Sequence, residues 1–219
     1  MKTPRKAKLL FFIRHGSTDL NEDSDRFCGS TDPSLSPPGI AQIERIALEL
    51  KELKNRLNIG GIITSPLKRA VESAQILSRE LSFTYKINPD LREIDFGEWE
   101  RLTKSEVNLK YPEILQLWLT RPDETVPPGG ENPHEVVKRA VHFQEHEIKK
   151  SESLLIVSHK TFLRIALCKW LSIPLRHYRI RFDIHCGALG CIRFEPGANK
   201  LVLLNWVPTQ SIQQLTQND

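Results

Sequence analysis

The sequence predicts an α/β protein, a three-layer sandwich built on a mostly parallel sheet with one antiparallel edge strand. Short, continuous apolar runs of the kind found in strands buried on both faces alternate with amphipathic helical patterns. Proline and glycine mark the boundaries between these segments. The last two apolar runs are separated only by the turn-forming residues 196–199, which favours a terminal hairpin.

The first part of the chain contains three predicted strands and two predicted helices. The strands are KLLFFI at 8–13, IIT at 62–64 and FTYKI at 83–87. A helix is predicted over 37–58, because Ile43, Ile46 and Leu50 recur at the spacing of three and four residues that lines one helix face. A second helix is predicted over 66–81, with Pro66 in its first turn.

The second part begins with a segment of different character. Residues 100–134 contain two short helical patterns broken by prolines, and we expect an insertion that covers part of the protein like a lid. A helix is predicted over 133–150, a buried strand over 153–158, a helix over 161–171, and the terminal hairpin over 187–195 and 200–207. We expect residues 1–219 to form a single domain that ends in a polar tail at 208–219.

Composition narrows the class of protein. The chain has 219 residues, of which 39% are hydrophobic and 26% charged, as in ordinary globular domains. The net charge of +4 is scattered along the chain, so we expect no nucleic-acid partner. The four cysteines form no C-x-x-C pair, and no apolar run is long enough for a secretory signal or a membrane span. We therefore expect a cytoplasmic protein with no membrane partner, and a homodimer stays open.

Charged and polar side chains follow several of the predicted strands. The strand at 8–13 runs into Arg14 and His15, and the strand at 153–158 runs into His159. The helix after the second strand carries Arg69, and Glu93 follows the third strand. Because ligands in open α/β sheets bind outside the carboxyl ends of the strands, we expect these side chains to share one site.

These residue types suit phosphoryl transfer from a monoester. Arg14 and Arg69 can each hold phosphate oxygens with two donors, and the start of the helix after His159 offers free backbone N–H groups. His15 is the candidate nucleophile, with a pKa lowered by the nearby arginines, and Gly16 allows a sharp turn close to the phosphate. Glu93 is the candidate acid and base. With the arginines and His159 stabilising the phosphoryl oxygens, we expect no metal and no cofactor.

Several blocks of the chain resemble the histidine phosphatase, or phosphoglycerate mutase-like, superfamily. They are IRHGSTDLN, GSTDPSLSPPGIAQ, ITSPLKRAVESAQIL, LREIDFGEWE, PPGGEN and IVSHKTFLR, and they occur in the order typical of the family. The resemblance implies a phosphohistidine at His15, proton transfer by Glu93, and a phosphate pocket made by Arg14, Arg69 and His159. It also implies accessory contacts from Asn21 and, less directly, Thr18.

The resemblance favours a phosphomonoesterase of the histidine acid phosphatase type, acting on a small phosphorylated metabolite. The mutases of the family carry an E-R-H-Y-G block around the acid, where this chain has REIDFGEWE. A phosphoglycerate-type phosphomutase and a non-catalytic, phosphate-binding regulatory module stay open as alternatives. Arg101 and Lys160 stand where many members have glycine, and His185 could touch the substrate. Phe27, Trp99 and Trp118 suggest an apolar contact with that substrate.

Two other clusters could be taken for metal sites. His142 and His146 are four residues apart, but neither H-E-x-x-H nor a third ligand is nearby, so a solvated helix face is the better interpretation. His185 lies near Cys186 and Cys191, which the predicted terminal hairpin explains without a metal.

Overall fold

The computed structural model describes residues 7–22, 26–150 and 153–208, and its centre is a six-stranded sheet. The strands are β1 (Lys8–Arg14), β2 (Ile62–Thr64), β3 (Tyr85–Ile87), β4 (Ser153–Ser158), β5 (Leu189–Phe194) and β6 (Lys200–Trp206), and they lie in the order β3-β2-β4-β1-β5-β6. Strands β1 to β4 pair in parallel, whereas β5 pairs antiparallel with β1 and β6 antiparallel with β5. The predicted mostly parallel sheet with an antiparallel edge is confirmed.

Helices cover both faces of this sheet. They are α1 (Asp19–Glu22), α2 (Pro37–Leu57), α3 (Lys68–Leu81), α4 (Lys104–Lys110), α5 (Pro112–Thr120), α6 (Pro133–His146), α7 (Lys160–Trp170) and α8 (Tyr178–Arg181). Side chains alternate along β1, so Phe11 and Ile13 pack with α2 and α3, while Leu10 and Phe12 pack with α6 and α7. The result is the three-layer arrangement that the sequence predicts.

The pairing of β1 with β4 positions the site. Their register runs from Leu9 opposite Ser153 to Arg14 opposite Ser158, so the two strands end side by side. The backbone N–H of His15 then donates to the carbonyl of Ser158 at 3.0 Å, which extends the ladder by one bond. The residues that follow the two strands, His15 and His159, are consequently neighbours.

Some predicted boundaries shift. Strand β3 begins at Tyr85 and not at Phe83, because Ser82 adopts a left-handed conformation and the N–H of Phe83 closes the end of α3 on the carbonyl of Ser78. Helix α6 ends at His146, and a 3₁₀ turn follows over Ile148–Lys150. The short helices α1 and α8 lack the periodicity that would predict them. Except for Pro208, the predicted polar tail lies outside the described residues.

The segment 100–134 contains α4 and α5 and packs against the main core. Val107, Leu115 and Trp118 belong to the same buried cluster as α6 and α7. Within the described residues, no helix combines the length and apolar character that crossing a bilayer requires.

Candidate active site

A cavity of about 350 Å³ opens at the carboxyl ends of β1 and β4. Arg14, His15 and Glu93 line its inner end. Residues 26–28, Phe96, the segment carrying α4 and α5, and the helices α1, α7 and α8 supply the remaining walls. Four of the seven site residues predicted from the sequence, these three and Asn21, therefore line one cavity.

His15 is held in a defined orientation. Its side chain is 3% exposed, and its Nδ1 lies 2.7 Å from the carbonyl oxygen of Gly16. Because a carbonyl only accepts hydrogen bonds, Nδ1 carries the proton and Nε2 keeps its lone pair. Burial, followed by the charges of Arg69 and Arg14, lowers the pKa of His15 well below 6.5. The imidazole is therefore neutral, as predicted, although burial contributes more than the arginines do.

The need for glycine at position 16 has a different cause from the one predicted. The backbone there does not lie in the left-handed region. A Cβ built on Gly16 would lie 2.3 Å from the carbonyl oxygen of Gly39, and one built on Gly39 would lie 2.1 Å from the carbonyl oxygen of Ser17. Glycine is thus required because the start of α2 packs directly on the backbone beside His15.

The two arginines take different positions. Arg14 lines the cavity and uses Nη1 to donate to the carbonyl of Ile184 at 2.9 Å, while its buried Nε makes no hydrogen bond in the described part of the chain. Arg69 is 1% exposed and lies behind His15, to whose Nε2 it donates from Nε at 3.2 Å. Its two terminal nitrogens donate to the carbonyls of residues 28, 29 and 31. Arg14 is therefore the arginine with a donor to spare.

His159 lies beside the nucleophile candidate, with its ring tilted by 55° from that of His15. The two imidazole centroids lie 5.1 Å apart, and Nε2 of His159 is 2.7 Å from the hydroxyl oxygen of Ser65 at the end of β2. Burial and the charge of Arg69 lower the pKa of His159 well below 6.5. Its buried Nδ1 makes no hydrogen bond within the described residues. A second neutral imidazole with an unused nitrogen thus lies next to His15.

Glu93 lines the cavity and also caps α7. Its carboxylate accepts from the backbone N–H groups of Ile94, Thr161 and Phe162 at 2.9, 3.0 and 2.8 Å. The N-cap residue His159 provides no side-chain cap of its own. The N–H groups of Thr161 and Phe162 are therefore not free to bind phosphate, which corrects the expectation for this helix start. They hold the carboxylate in place instead.

The two accessory residues differ in their access to the cavity. Asn21 lines it, and its Oδ1 accepts hydrogen bonds from the backbone N–H and the hydroxyl of Thr18 at 2.8 and 3.0 Å. Thr18 itself is fully buried and does not line the cavity. Its hydroxyl therefore orients Asn21 and does not face a ligand.

Aromatic side chains form one wall of the cavity. Phe27 and Trp118 line it, as the sequence suggests, together with Phe96 and Tyr178. Trp99 does not, because its ring is completely buried beneath Phe27 and Trp118, with centroids 5.2 and 5.5 Å from theirs. The predicted apolar contact therefore has two of its three members at the surface of the cavity.

Several cavity residues were not predicted from the sequence. Arg164 follows Lys160 by four residues on α7, so helical spacing could have placed both on one face. Tyr178 and Arg179 lie on the four-residue helix α8, where no periodic pattern marks them. Arg26 and Lys104 also line the cavity.

The residues with open roles now have positions. Lys160 lines the cavity. Arg101 is exposed outside it and adopts a φ of +66°, the conformation that glycine favours. His185 is also outside it, paired with Asp183 at 3.3 Å. His142 and His146 stack on an exposed face, and the described residues contain no group of three or more His, Cys, Asp or Glu side chains placed to hold a metal ion.

Comparisons with known proteins identify the family to which the chain belongs. A family model described as histidine phosphatase superfamily (branch 1) matches residues 10–207. The bifunctional protein Rv2228c of Mycobacterium tuberculosis is 34% identical over 203 residues, which cover 90% of this chain and 53% of that protein. The chain thus spans about half the length of this relative. Phosphoserine phosphatase 1 of Hydrogenobacter thermophilus is 29% identical over 198 residues, covering 90% of this chain and 91% of that one.

A solved structure has the same fold. The crystal structure of a putative α-ribazole-5'-P phosphatase from Escherichia coli superposes with a TM-score of 0.79 and covers 92% of this chain and 97% of that one. At 24% identity this likeness concerns the fold alone.

Proposed function

Because this chain belongs to the histidine phosphatase superfamily, branch 1, we propose that it hydrolyses a small phosphomonoester without a metal, through a phosphohistidine on His15. The observation that carries the proposal is the state of His15. Its neutral ring donates from Nδ1 to a backbone carbonyl and keeps an unprotonated Nε2 beside Arg14 and Arg69. A fixed, uncharged imidazole surrounded by cations is suited to attack the phosphorus of an anionic ester.

In the first step, Nε2 of His15 forms a bond to phosphorus while the bond from phosphorus to the ester oxygen breaks. The leaving oxygen takes the bonding pair and receives a proton from the carboxyl group of Glu93. In the second step, water loses a proton to Glu93 and attacks phosphorus. The nitrogen–phosphorus bond then breaks, its electron pair returns to His15, and orthophosphate is released.

Arg69 couples phosphate binding to activation of His15. Its Nε–H donates to Nε2 of His15, the lone pair that must attack. A phosphate oxygen is a stronger acceptor for this Nε–H than a neutral imidazole, so the phosphate takes over the bond and frees Nε2, while the terminal nitrogens of Arg69 stay on their carbonyls. Arg14 adds the donor of its unused Nε, and His159 adds an N–H at Nδ1 in the tautomer whose Nε2 accepts from the hydroxyl of Ser65.

The positive charge of the site supports a reaction without a metal. Arg14 and Arg69 together offset the two charges of a phosphate dianion, which is the role that divalent cations have in many phosphoryl-transfer enzymes. The cavity of about 350 Å³ is at the small end of the range for ligand pockets, which supports a metabolite as the substrate.

The test is hydrolysis of p-nitrophenyl phosphate in the presence of EDTA, comparing wild type with His15→Ala. We expect turnover that survives the chelator and falls by about 1,000-fold or more in the variant, because the nucleophile is lost. His134→Ala, which removes an exposed imidazole at the start of α6, is the matched control and should retain activity. Activity that requires added metal, or an active His15→Ala, would contradict the mechanism.

A trapping experiment separates the alternatives. Radiolabel from the substrate should remain on the denatured protein in alkali and leave in acid, as a phosphoramidate does. Transfer of the label to a second hydroxyl in place of water would identify a phosphomutase. Phosphate binding with neither turnover nor labelling would identify a regulatory module.

A further inference from the structure

The cavity carries more positive charge than one phosphate group requires. Among the described residues, six cationic side chains line it against the single carboxylate of Glu93, and they are Arg14, Arg26, Lys104, Lys160, Arg164 and Arg179. Asp183 and Glu106 pair with members of this set. Counting both of them, the described residues still contribute six positive charges against three negative ones, and a phosphate dianion neutralises only two of the remaining three.

Part of the excess positive charge lies on one face of α7. Lys160 and Arg164 are four residues apart, and both are directed at the same Oδ1 of Asp183, from Nζ at 3.6 Å and from Nη2 at 3.0 Å. The side chain of Asp183 is 62% exposed and that of Arg164 only 16% exposed. The solvated carboxylate of Asp183 is thus shared by two cations that line the cavity, and Nε of Arg164 is buried without a hydrogen bond in the described part of the chain.

Arg179 continues this surface from α8. Its guanidinium lies 3.5 Å above the indole ring of Trp118, and its Nη1 donates to the backbone carbonyl of the same residue at 3.0 Å. Both contacts are to neutral groups, so they fix the position of the cation without neutralising it. We call Lys160, Arg164 and Arg179 the cationic wall.

The cationic wall is continuous with the inner end of the cavity. Burial lowers the pKa of Arg164, Asp183 opposes this effect, and the charges of Arg14 and Glu93 also act on it. The pKa of Arg179 is lowered by burial, with a further contribution from the charge of Arg164. The charge of Arg164 therefore interacts with Arg14 and Glu93 at the inner end of the cavity and with Arg179 in the cationic wall.

We propose that the cationic wall binds a second anionic group, so that the substrate is a small phosphomonoester that also carries a carboxylate or a second phosphate. This inference rests on the proposed function, because it takes Arg14 and His15 as the end that holds the reacting phosphate. The second anion binds Arg164 and Arg179. The carboxylate of Asp183 holds Lys160 and Arg164 in position for this contact. The carbon skeleton between the two anions lies against Phe27 and Trp118.

The test measures binding and does not depend on turnover. Isothermal titration compares 3-phosphonopropionate with propylphosphonate, which differ only by a carboxylate in place of a methyl group and cannot be hydrolysed. We expect the carboxylate to improve the affinity at least about tenfold, because it gains charge-assisted hydrogen bonds in a partly desolvated site. The preference should decrease as the salt concentration rises. Ethane-1,2-bisphosphonate, which carries a phosphonate in place of the carboxylate on the same two-carbon skeleton, shows whether the second anionic group is preferred as a phosphonate or as a carboxylate.

Variants assign the preference to the cationic wall. Arg164→Gln and, independently, Arg179→Gln should each reduce the ratio of the two affinities to about threefold or less. Arg45→Gln removes the same charge from an exposed position on α2 and should keep the wild-type ratio. Equal affinity of wild type for the two phosphonates overturns the inference and leaves the phosphatase proposal intact. If neither compound binds and p-nitrophenyl phosphate is not hydrolysed, both proposals fail.

Discussion

Acidification should destabilise this protein through its two buried imidazoles. Burial, followed by the charge of Arg69, holds the pKa of both His15 and His159 well below 6.5. The unfolded chain binds a proton at each of these positions near pH 6.5, whereas the folded chain does not. Protonation therefore favours the unfolded state. The stability is fully present above about pH 6.5 and is lost as the pH falls toward the folded-state pKa.

The size of the effect follows from linkage. Between about pH 7.5 and about pH 5.5, each imidazole that stays neutral in the folded state removes about 1.4 kcal/mol from the free energy of unfolding. The two together remove about 2.7 kcal/mol. Since domains are stable by only about 5–15 kcal/mol, the loss is readily measured.

The assay is urea unfolding at the two pH values in buffers without phosphate, followed by the fluorescence of the buried Trp99 and Trp170. Between the two pH values, His15→Gln and His159→Gln should each lose about half as much free energy of unfolding as wild type, because one neutral imidazole remains. His134→Gln removes an exposed imidazole, so its free energy of unfolding should fall by as much as that of wild type. The reasoning is refuted if wild type is equally stable at both pH values, or if neither buried substitution reduces the loss.

Three further predictions concern packing, proton transfer and a buried ion pair. Gly39→Ala places a Cβ 2.1 Å from the carbonyl oxygen of Ser17 and should cost about 2 kcal/mol or more in urea unfolding, and an unchanged midpoint would contradict the packing argument. Glu93→Gln should lower kcat/KM about 100-fold for an alkyl phosphate and much less for p-nitrophenyl phosphate, whose leaving group departs without a proton, so equal losses would exclude Glu93 as the acid. Arg139→Met removes contacts at 2.9 and 3.0 Å from the largely buried carboxylate of Glu131, which keeps only the exposed Arg92 at 3.0 Å among the described residues, and should cost about 2 kcal/mol, part of which Glu131→Leu should restore in the double variant.

Proximity to buried strands decided which parts of the site could be predicted. Arg14, His15 and His159 follow directly after apolar runs, so their position at the carboxyl edge follows from any parallel sheet that contains both strands. The order of the strands is a different matter. Buried strands have similar apolar sequences, and nothing in KLLFFI or SLLIVS indicates that these two strands pair with each other.

Contacts between distant segments could not be predicted. Glu93 and Thr161 are separated by 68 residues, so the capping of α7 by this carboxylate has no local signature. The same holds for Arg179, whose place in the cavity depends on the packing of α8 against Trp118. At position 101, by contrast, the positive φ explains why glycine suits this point of the chain, and the arginine there is exposed outside the cavity.

The backbone hydrogen bonds to the carboxylate of Glu93 affect which sequence changes this protein can accept during evolution. The carboxylate is located by peptide groups and not by neighbouring side chains, so most substitutions around it would leave its place unchanged. An inserted or deleted residue between Ser158 and Phe162 is a different kind of event. It would rotate the helix start by about 100° and shift the imidazole and the carboxylate together. We expect variation in length near the cavity to be confined to the segments that form its rim.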